Sequence, residues 1–385
     1  MSAGPQPQTR KSDVDRETDR LARALLSRIT EPGDLALAQL LSRYSASEIV
    51  EDLRTGRLTT KAATHWRARL PHAHPEADLA AIVRLGGRFL VPGDDEWPEV
   101  LDDLVHIGGG YAAPPLGLWV WGQPHLADLA RRGVAVVGSR DATPYGVYVA
   151  TELARELAER GWCVVSGAAY GIDGAAHRGA LVGGGPTVAV LAGGVDVPYP
   201  RGHVSLLARI RESGLIVSEW PPGSAPMRYR FLVRNRVIAA LTRGTVVVEA
   251  AARSGSLNTA NRARELGRHV MAVPGPVTSA LSAGSNALLR EPDVVCVTGA
   301  AEVLELVGPL GTSAESEQVG PMRPRDQLDP LAARVLDAVP VRRAAGPASI
   351  AVAAGLAVSD VLRALGTLAA GGFVERIDDG WRVVR

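Results

Sequence analysis

Glycine, serine and arginine are grouped at two points of the sequence, each in a segment that follows a short run of apolar residues. The two groups are Gly138, Ser139 and Arg140, and Ser254, Gly255 and Ser256. Glycine lets backbone N–H groups approach a ligand closely, serine adds a hydroxyl donor, and arginine binds phosphate through two parallel hydrogen bonds. A helix that begins just after such a loop also points its unpaired N–H groups at an anion. The two groups therefore predict a site with more than one phosphate position.

The segment 220–264 carries a strong excess of positive charge. It contains eight arginines and one acidic residue, Glu249, whereas the whole chain has a net charge of +1. A solvated surface usually mixes both signs, so this segment predicts a local basic field. Tyr229 and Phe231 lie between the arginines, and aromatic rings stack on unpaired bases while arginines follow the backbone. The pattern favours single-stranded nucleic acid as the ligand, although Phe231 also fits a place in the core.

The motifs of common nucleotide-binding and metal enzymes are missing from the sequence. After Gly138 the next glycine is Gly146, so there is no G-x-G-x-x-G pattern, and neither G-x-x-x-x-G-K-[ST] nor H-E-x-x-H occurs. Asp173 and His177 have i,i+4 spacing, which fits an acid–base pair or two metal ligands. The commoner arrangement at this spacing is a capping aspartate paired with the histidine. Without a third partner, we predict no catalytic residue, no metal site and no cofactor.

Short apolar segments alternate with helical segments between residues 134 and 297. The predicted strands are 134–137, 163–165, 188–191, 215–217, 246–248, 269–273 and 294–297, and the predicted helices are 145–160, 172–181, 204–212, 231–241 and 257–266. This alternation is typical of an α/β fold in which helices cover both faces of a parallel sheet. The loops rich in glycine, serine and arginine follow the strands, so the ligand site is predicted at the carboxyl ends of the sheet.

Smaller units are predicted around this α/β core. They are a disordered tail 1–13, a helical domain 14–70 resembling SAM or helix-hairpin-helix domains, the α/β domain 71–307 with its entry segment 71–125, a linker 308–328 and a C-terminal domain 329–385. In the helical domain, Ser45 and Glu48 form a capping-box pattern ahead of a helix. In the C-terminal domain, three helices precede two strands around an Asp-Gly turn, which is the outline of a winged helix.

Composition limits where the protein acts. Cys163 and Cys296 are the only cysteines and lie in apolar segments, as expected for reduced thiols in the cytosol. The first twenty residues are polar, and no apolar run approaches the roughly 18 residues of a membrane span. We therefore predict a cytoplasmic protein without a membrane segment.

The strand-end loops together resemble the DprA/Smf family of bacterial DNA-processing proteins. The matching segments are GSRDATPYG at 138–146, SGAAYGIDGAAHRGAL at 166–181, TVAVLAGGVDVPYP at 187–200, GLIVSEWPPG at 214–223, FLVRNRVIAAL at 231–241, VVVEAAARSGSLNTANRARELGRHVMAVPG at 246–275 and SAGSNALL at 282–289. The resemblance implies an extended Rossmann-like domain with a small helical domain before it and a winged helix after it. This order agrees with the outline obtained from the residues.

The resemblance also implies a function. It is that of a non-catalytic mediator that binds single-stranded DNA, protects incoming strands in natural transformation and loads the RecA recombinase in homologous recombination, as a homodimer through the Rossmann-like domain. By the motif match, DNA phosphates would be bound by Gly138, Ser139, Arg140, Ser166, Gly167, Arg234, Asn235, Arg236, Ser254, Gly255, Ser256 and Thr259. Within this set, Arg140 would clamp a phosphate and Asn235 would orient a phosphate oxygen or a base edge.

The sequence also departs from the family pattern and leaves one other function open. The chain has no lysine after Lys61, REPDVV follows the last matching segment, and the predicted recognition helix 359–370 has one basic residue, Arg363. Major-groove readers need more positive charge, so this helix favours a partner surface. The alternative function is a nucleotide-processing enzyme of the nucleoside monophosphate glycosidase type, or a nucleotide sensor. Such enzymes carry a catalytic glutamate after the glycines of a PGGxGTxxE loop, whereas Glu249 precedes Gly255 here.

Overall fold

The computed structural model of the chain describes residues 13–309 and 323–384. The chain divides into two compact units, Met1–Ala314 and Glu315–Arg385. Residues 1–12 of the predicted tail and 310–322 of the predicted linker lie outside the described residues. The domain boundaries given above stay predictions.

One nine-stranded sheet forms the centre of the first unit. Its strands are β1 (Gly87–Leu90), β2 (Leu118–Trp121), β3 (Gly133–Val137), β4 (Cys163–Ser166), β5 (Thr187–Val190), β6 (Leu215–Ser218), β7 (Gly244–Val247), β8 (His269–Ala272) and β9 (Val294–Cys296). Strands β3 to β9 pair in parallel, as the alternation of strands and helices predicts. The entry segment contributes β1 and β2. Strand β2 pairs antiparallel with both β1 and β6, so the whole sheet is mixed.

The path of the chain across the sheet reverses at β3. The strand order is β1-β2-β6-β5-β4-β3-β7-β8-β9, so the chain moves outwards from β3 to β6 and then returns to place β7 on the other side of β3. Such a reversal opens a crevice at the carboxyl ends of the two strands that flank it. The two loops predicted to bind phosphate follow these two strands.

The described part of the first unit has α-helices before, between and after the strands. They are α1 (Asp13–Ile29), α2 (Leu35–Leu41), α3 (Ala46–Thr55), α4 (Lys61–Arg69), α5 (Pro75–Arg84), α6 (Leu126–Arg131), α7 (Pro144–Glu159), α8 (Ile172–Val182), α9 (Val204–Ser213), α10 (Arg230–Ala240), α11 (Ser256–Glu265), α12 (Ala283–Leu288) and α13 (Ala300–Val307). One buried cluster joins α6, α10 and α11 to the sheet, and a second joins α7, α8 and α13 to it. The strands are therefore buried on both sides, which explains their continuous apolar sequences.

The first four helices have a small core of their own. It includes Leu26, Ile29, Ile49, Leu53 and Trp66. The predicted capping box is confirmed, since Ser45 accepts from the Glu48 amide and Glu48 accepts from the Ser45 amide. Helix α1 is also tied to the sheet region, because Arg20 binds both carboxylate oxygens of Asp94 at 2.9 and 3.0 Å.

The second unit contains three helices and a hairpin. Its elements are α14 (Pro330–Ala338), α15 (Pro347–Ala354), α16 (Val358–Ala370), β10 (Val374–Ile377) and β11 (Gly380–Val383). The predicted Asp-Gly turn is wrong in detail, because Gly380 pairs with Ile377 and the turn is Asp378-Asp379. Asp378 adopts a φ of 51°, a left-handed conformation that aspartate tolerates better than most residues. The assignment of this unit as a winged helix stays a prediction.

Among the described residues, no single helix is long and apolar enough to cross a membrane. Helices α15 and α16 would together be long and apolar enough, but the chain bends by 104° between them.

Candidate nucleic-acid interface

The loop after β3 is held between the end of β7 and the start of α8. The Ser139 amide donates to the Glu249 carbonyl at 2.6 Å, and the Ser139 carbonyl accepts from the Ile172 amide at 3.1 Å. A Cβ on Gly138 would lie 2.7 Å from that Glu249 carbonyl oxygen and 2.6 Å from Ile172 Cγ1. Only glycine fits there, so Gly138 sets the loop's path and leaves phosphate contact to the residues after it.

The Glu249 carboxylate fixes the other end of the same loop. Its two oxygens accept from the Thr143 amide and the Thr143 hydroxyl, both at 2.8 Å, and only 1% of the residue is exposed. Thr143 in turn caps α7 by accepting from the Gly146 amide. Glu249 is thus a positioning residue. The sequence does not predict this role, because Glu249 and Thr143 lie 106 residues apart along the chain.

Arg140 is the exposed cation of this loop. Its guanidinium carbon lies 4.8 Å from the centre of the Phe231 ring, and Phe231 packs against Tyr199 with ring centres 5.3 Å apart. Arg140 makes no hydrogen bond or ion pair with the residues that the structure describes. Its donors are therefore available to a ligand, beside two aromatic rings. Tyr199 was not predicted as part of the site, although its place after β5 at the carboxyl edge is a usable signal.

Ser166 and Gly167, after β4, lie beneath the surface of the site. The Ser166 hydroxyl donates to the Val136 carbonyl at 2.7 Å, and the Gly167 carbonyl accepts from Arg234 Nη1 at 2.9 Å. A Cβ on Gly167 would lie 2.2 Å from the same Arg234 atom. The structure therefore gives both residues a supporting place and no exposed group for phosphate.

Arg234 is a buried cation that joins α10 to two strand ends. Only 4% of it is exposed, and its Nη1 donates to the carbonyls of Gly167 and Val190. Burial lowers the pKa of the Arg234 guanidinium to about 10, while the charge of the nearby Asp173 carboxylate acts in the opposite direction. Burial raises the pKa of Asp173, whose carboxylate accepts from the Gly167 amide at 3.1 Å. Arg234 therefore stabilises the carboxyl edge from the interior, and its guanidinium presents no pair of hydrogen-bond donors to solvent.

The prediction that Arg236 contacts phosphate is corrected by its surroundings. Its Nη1 and Nη2 donate to the two Glu219 oxygens at 2.6 and 2.7 Å, and Nε donates to the Ala113 carbonyl at 3.0 Å. Arg236 is 1% exposed. Because the guanidinium is buried among these partners, it presents no donor to DNA, so Arg236 is structural.

The loop after β7 leads directly into α11. Asn235 Nδ2 donates to the Gly255 carbonyl at 3.2 Å and links this loop to α10. The Ser254 and Ser256 hydroxyls are 2.7 Å apart, and the Ser254 hydroxyl accepts from the Ser256 amide at 3.3 Å. The next two amides of the helix donate to the carbonyls of Ser254 and Gly255 at 3.3 and 3.2 Å. Arg253 and Gly255 are exposed, so the exposed part of this loop includes a guanidinium, next to the Ser139–Arg140 loop on the neighbouring strand. Thr259 is buried one turn further on.

His177 does not pair with Asp173. Its Nδ1 lies 2.8 Å from the Thr187 hydroxyl, which donates its own proton to the Val164 carbonyl, so Nδ1 carries a proton. Nε2 is buried without a partner among the described residues. Burial lowers the pKa of His177 to about 3, so the ring is neutral. Among the described residues, no three His, Cys, Asp or Glu side chains are grouped to hold a metal ion.

Comparison with known proteins identifies the family. A family model described as DNA recombination-mediator protein A matches residues 88–308. The chain belongs to the DprA/Smf family. A putative DNA processing protein DprA from Mycobacterium tuberculosis is 47% identical over 370 residues, which are 94% of each chain. Protein Smf from Escherichia coli is 41% identical over 272 residues, 70% of this chain and 69% of that protein. The predicted resemblance to the DprA/Smf family is confirmed.

Solved DprA structures share the α/β fold. The X-ray structure of DNA processing protein A from Streptococcus pneumoniae has a TM-score of 0.59 at 30% identity and covers 77% of this chain and 98% of that chain. DNA processing protein A from Helicobacter pylori, whose structure is described as showing a unique single-stranded DNA binding mode, has a TM-score of 0.50 at 28% identity, covering 57% and 95%. The predicted fold class is confirmed.

Replacing Glu249 is expected to loosen the loop that carries Arg140. Glu249→Gln keeps the side-chain volume but turns one acceptor towards Thr143 into a donor, and an unsatisfied buried group costs about 1–3 kcal/mol. We expect a lower free energy of unfolding and faster amide hydrogen exchange in residues 139–146. Glu159→Gln, at an exposed glutamate of α7, is the matched control. Unchanged exchange in this loop would contradict the positioning role.

The buried neutral His177 is expected to make stability depend on pH. Its pKa of about 3 in the folded state lies below the usual value near 6.5, so the unfolded chain binds more protons between these values. The free energy of unfolding should fall as the pH drops below about 6.5, by up to about 1.4 kcal/mol per unit from this group. Urea titrations at pH 7 and pH 5 should give a smaller difference for His177→Gln than for the wild type. His65→Gln, at an exposed histidine of α4, should keep the wild-type difference.

Proposed function

We propose that this DprA/Smf protein binds single-stranded DNA along the carboxyl edge of its sheet and acts as a recombination mediator. The observation that carries the proposal is Arg140, an exposed guanidinium that stacks on Phe231 beside Tyr199. A cation for phosphate next to aromatic faces for bases is the usual composition of a single-strand binding surface. The single-stranded DNA binding mode described for the Helicobacter pylori relative agrees with it.

The predicted site residues divide into two groups in this proposal. The residues proposed to touch DNA are Ser139, Arg140, Ser254, Gly255 and Ser256. The residues proposed to support them are Gly138, Ser166, Gly167, Arg234, Asn235, Arg236 and Thr259. Each supporting residue is packed or bonded within the protein. Arg140 and Gly255 are exposed, and Ser139, Ser254 and Ser256 lie beside them in the same two loops.

We propose that this site acts by binding alone. The glycosidase alternative needs a carboxylate that reaches the sugar of a bound nucleotide. Glu249 and Asp173 are both buried and accept hydrogen bonds from Thr143 and Gly167 respectively. Neither group is oriented towards solvent at the edge where the ligand would lie, which favours the binding function. Release of free base from a nucleoside monophosphate by the purified protein would contradict this part of the proposal.

Replacing Arg140 tests the DNA-binding proposal directly. For Arg140→Ala we expect at least a tenfold loss of affinity for an oligodeoxythymidine, because a phosphate contact and a stacking cation are removed together. The slope of log affinity against log salt should become shallower by about 0.7 for each phosphate that the variant no longer binds. Fluorescence anisotropy at two salt concentrations, with the single strand and its duplex, provides the measurement.

Arg209→Ala is the matched control for this experiment. Arg209 is exposed on α9, so its removal changes the net charge equally without touching the proposed site. The wild type should prefer the single strand over the duplex. Equal affinity for both, or equal affinity of Arg140→Ala and Arg209→Ala for the single strand, would refute the proposal.

We further propose that the protein works in the cytoplasm as a homodimer through the Rossmann-like domain and loads RecA onto the bound strand. The family model's description as a recombination mediator supports a recombinase partner. Strand β9 is an outer strand of the sheet with Val295 partly exposed, which leaves an edge for a second copy.

The two partners can be tested separately. Light scattering of the full chain at micromolar concentration is expected to give twice the monomer mass. RecA ATP hydrolysis on single strands coated with single-strand-binding protein should start sooner with the wild type than without it. With Arg140→Ala it should start later than with the wild type. A monomer mass would contradict the proposed homodimer. A lag before ATP hydrolysis that the wild type does not shorten would contradict the proposed loading of RecA.

A further inference from the structure

The opposite edge of the sheet carries a second group of basic residues. Arg132, Trp162 and Arg243 each directly precede a strand, namely β3, β4 and β7. These three strands are neighbours in the order β4-β3-β7, so the residues before them lie side by side at the amino edge. Each strand has four or five residues. At about 3.3 Å per residue, the amino edge lies roughly 15 Å from the loops that hold Arg140.

The backbone at these positions is fixed by extensions of the strand ladder. The Cys163 amide donates to the Arg132 carbonyl at 2.8 Å, and the Arg243 amide donates to the Gly133 carbonyl at 2.9 Å. Arg243 Nη1 also donates to the Val307 carbonyl at the end of α13, at 3.2 Å. The starting points of the two arginine side chains are therefore rigid, which lowers the entropy cost of binding a ligand between them.

A cavity of about 440 Å³ opens at this edge. Its walls include Arg131, Arg132, Arg160, Arg243, Trp162 and Leu304, and no carboxylate is among its lining residues. Acidic neighbours bind two of these arginines from outside the cavity, Asp128 with Arg131 at 3.0 Å and Glu156 with Arg160 at 3.3 Å. Arg132 and Arg243 are exposed and form no ion pair with the described residues. The cavity therefore keeps a net positive lining.

We propose that this cavity is a second binding site, for the phosphate of a nucleotide unit. Guanidinium groups bind phosphate through paired hydrogen bonds, and Trp162 with Leu304 supplies an apolar wall for the sugar or base. The volume lies within the range of about 300–1,000 Å³ that small-molecule sites have. A compact concave shape favours a nucleotide over an acidic peptide, which needs an extended groove. The unit is either a free nucleotide or part of a DNA strand, and the site does not depend on the proposed function of the carboxyl edge.

The test measures two probes against two variants of the full chain. The probes are deoxythymidine monophosphate, followed by calorimetry, and a 20-residue oligodeoxythymidine, followed by anisotropy. In the Arg140→Ala background, which lacks the proposed carboxyl-edge contact, Arg132→Ala/Arg243→Ala should weaken binding of the mononucleotide at least tenfold. If a DNA strand also occupies the cavity, Arg132→Ala/Arg243→Ala should further weaken oligonucleotide binding in the Arg140→Ala background. If only a free nucleotide occupies the cavity, oligonucleotide binding should not weaken further.

Two further double variants serve as controls. Arg54→Ala/Arg209→Ala removes two exposed arginines elsewhere and should behave as the wild type. Arg132→Gln/Arg243→Gln replaces the alanine pair if that variant fails to fold by circular dichroism. Equal binding of both probes by the cavity pair and the matched pair would overturn the proposal. A hexaglutamate peptide whose binding depends on Arg132 and Arg243, without any nucleotide binding, would overturn it as well. Mononucleotide binding that Arg140→Ala weakens and the cavity pair leaves unchanged would also overturn the proposal.

Discussion

The carboxyl edge depends on one buried interaction, the contact of Arg234 with the ends of β4 and β5. A buried guanidinium costs free energy unless its donors are bonded and an opposite charge is near. The carbonyls of Gly167 and Val190 and the charge of Asp173 meet these requirements. Gly167 must then be glycine, because a Cβ there would overlap the guanidinium. Strand ends, helix α10 and the first turn of α8 are thus fixed relative to one another before any ligand binds.

This constraint explains how the basic segment 220–264 is used. Arg234 and Arg236 lie in the interior with carbonyl and carboxylate partners, and Arg230 binds Glu31, between α1 and α2, at 2.8 Å. Arg228 and Arg253 of the segment are exposed, and Arg140, on the loop of a different strand, adds an exposed guanidinium beside Phe231. Helix α10 therefore contributes rigidity and the ring of Phe231, and the loops contribute the contacts.

The sequence pattern was sufficient to predict where the strands and helices lie, but not which side chains form hydrogen bonds with one another. Strands such as β3 and β7 are continuous apolar runs, so local sequence determines where they lie and which edge carries the site. The fate of Arg236 depends on Glu219 and Ala113, and that of His177 on Thr187, partners that only the folded chain brings within bonding distance. The i,i+4 spacing of Asp173 and His177 shows only that they lie near each other on one helix. In the folded chain, the buried His177 ring contacts Thr187 at the start of β5 instead. The alternation of residues 115–122 predicts the strand β2, but the antiparallel pairing of β1 and β2 does not follow from periodicity, because the path of the chain sets the pairing direction.

The missing dinucleotide fingerprint now has a structural explanation. In the Rossmann pattern, closely spaced glycines let a helix N-terminus approach a pyrophosphate. Here Gly138 and Gly146 are required by packing against the protein itself, since a Cβ on Gly146 would lie 2.4 Å from a Glu249 carboxylate oxygen. The negative charge of Glu249 thus occupies the start of α7, the position where a dinucleotide phosphate would otherwise lie. The exposed cation of the loop between these glycines is Arg140. Under the proposed function it would bind a strand that passes along the edge of the sheet, and not a pyrophosphate held against the helix.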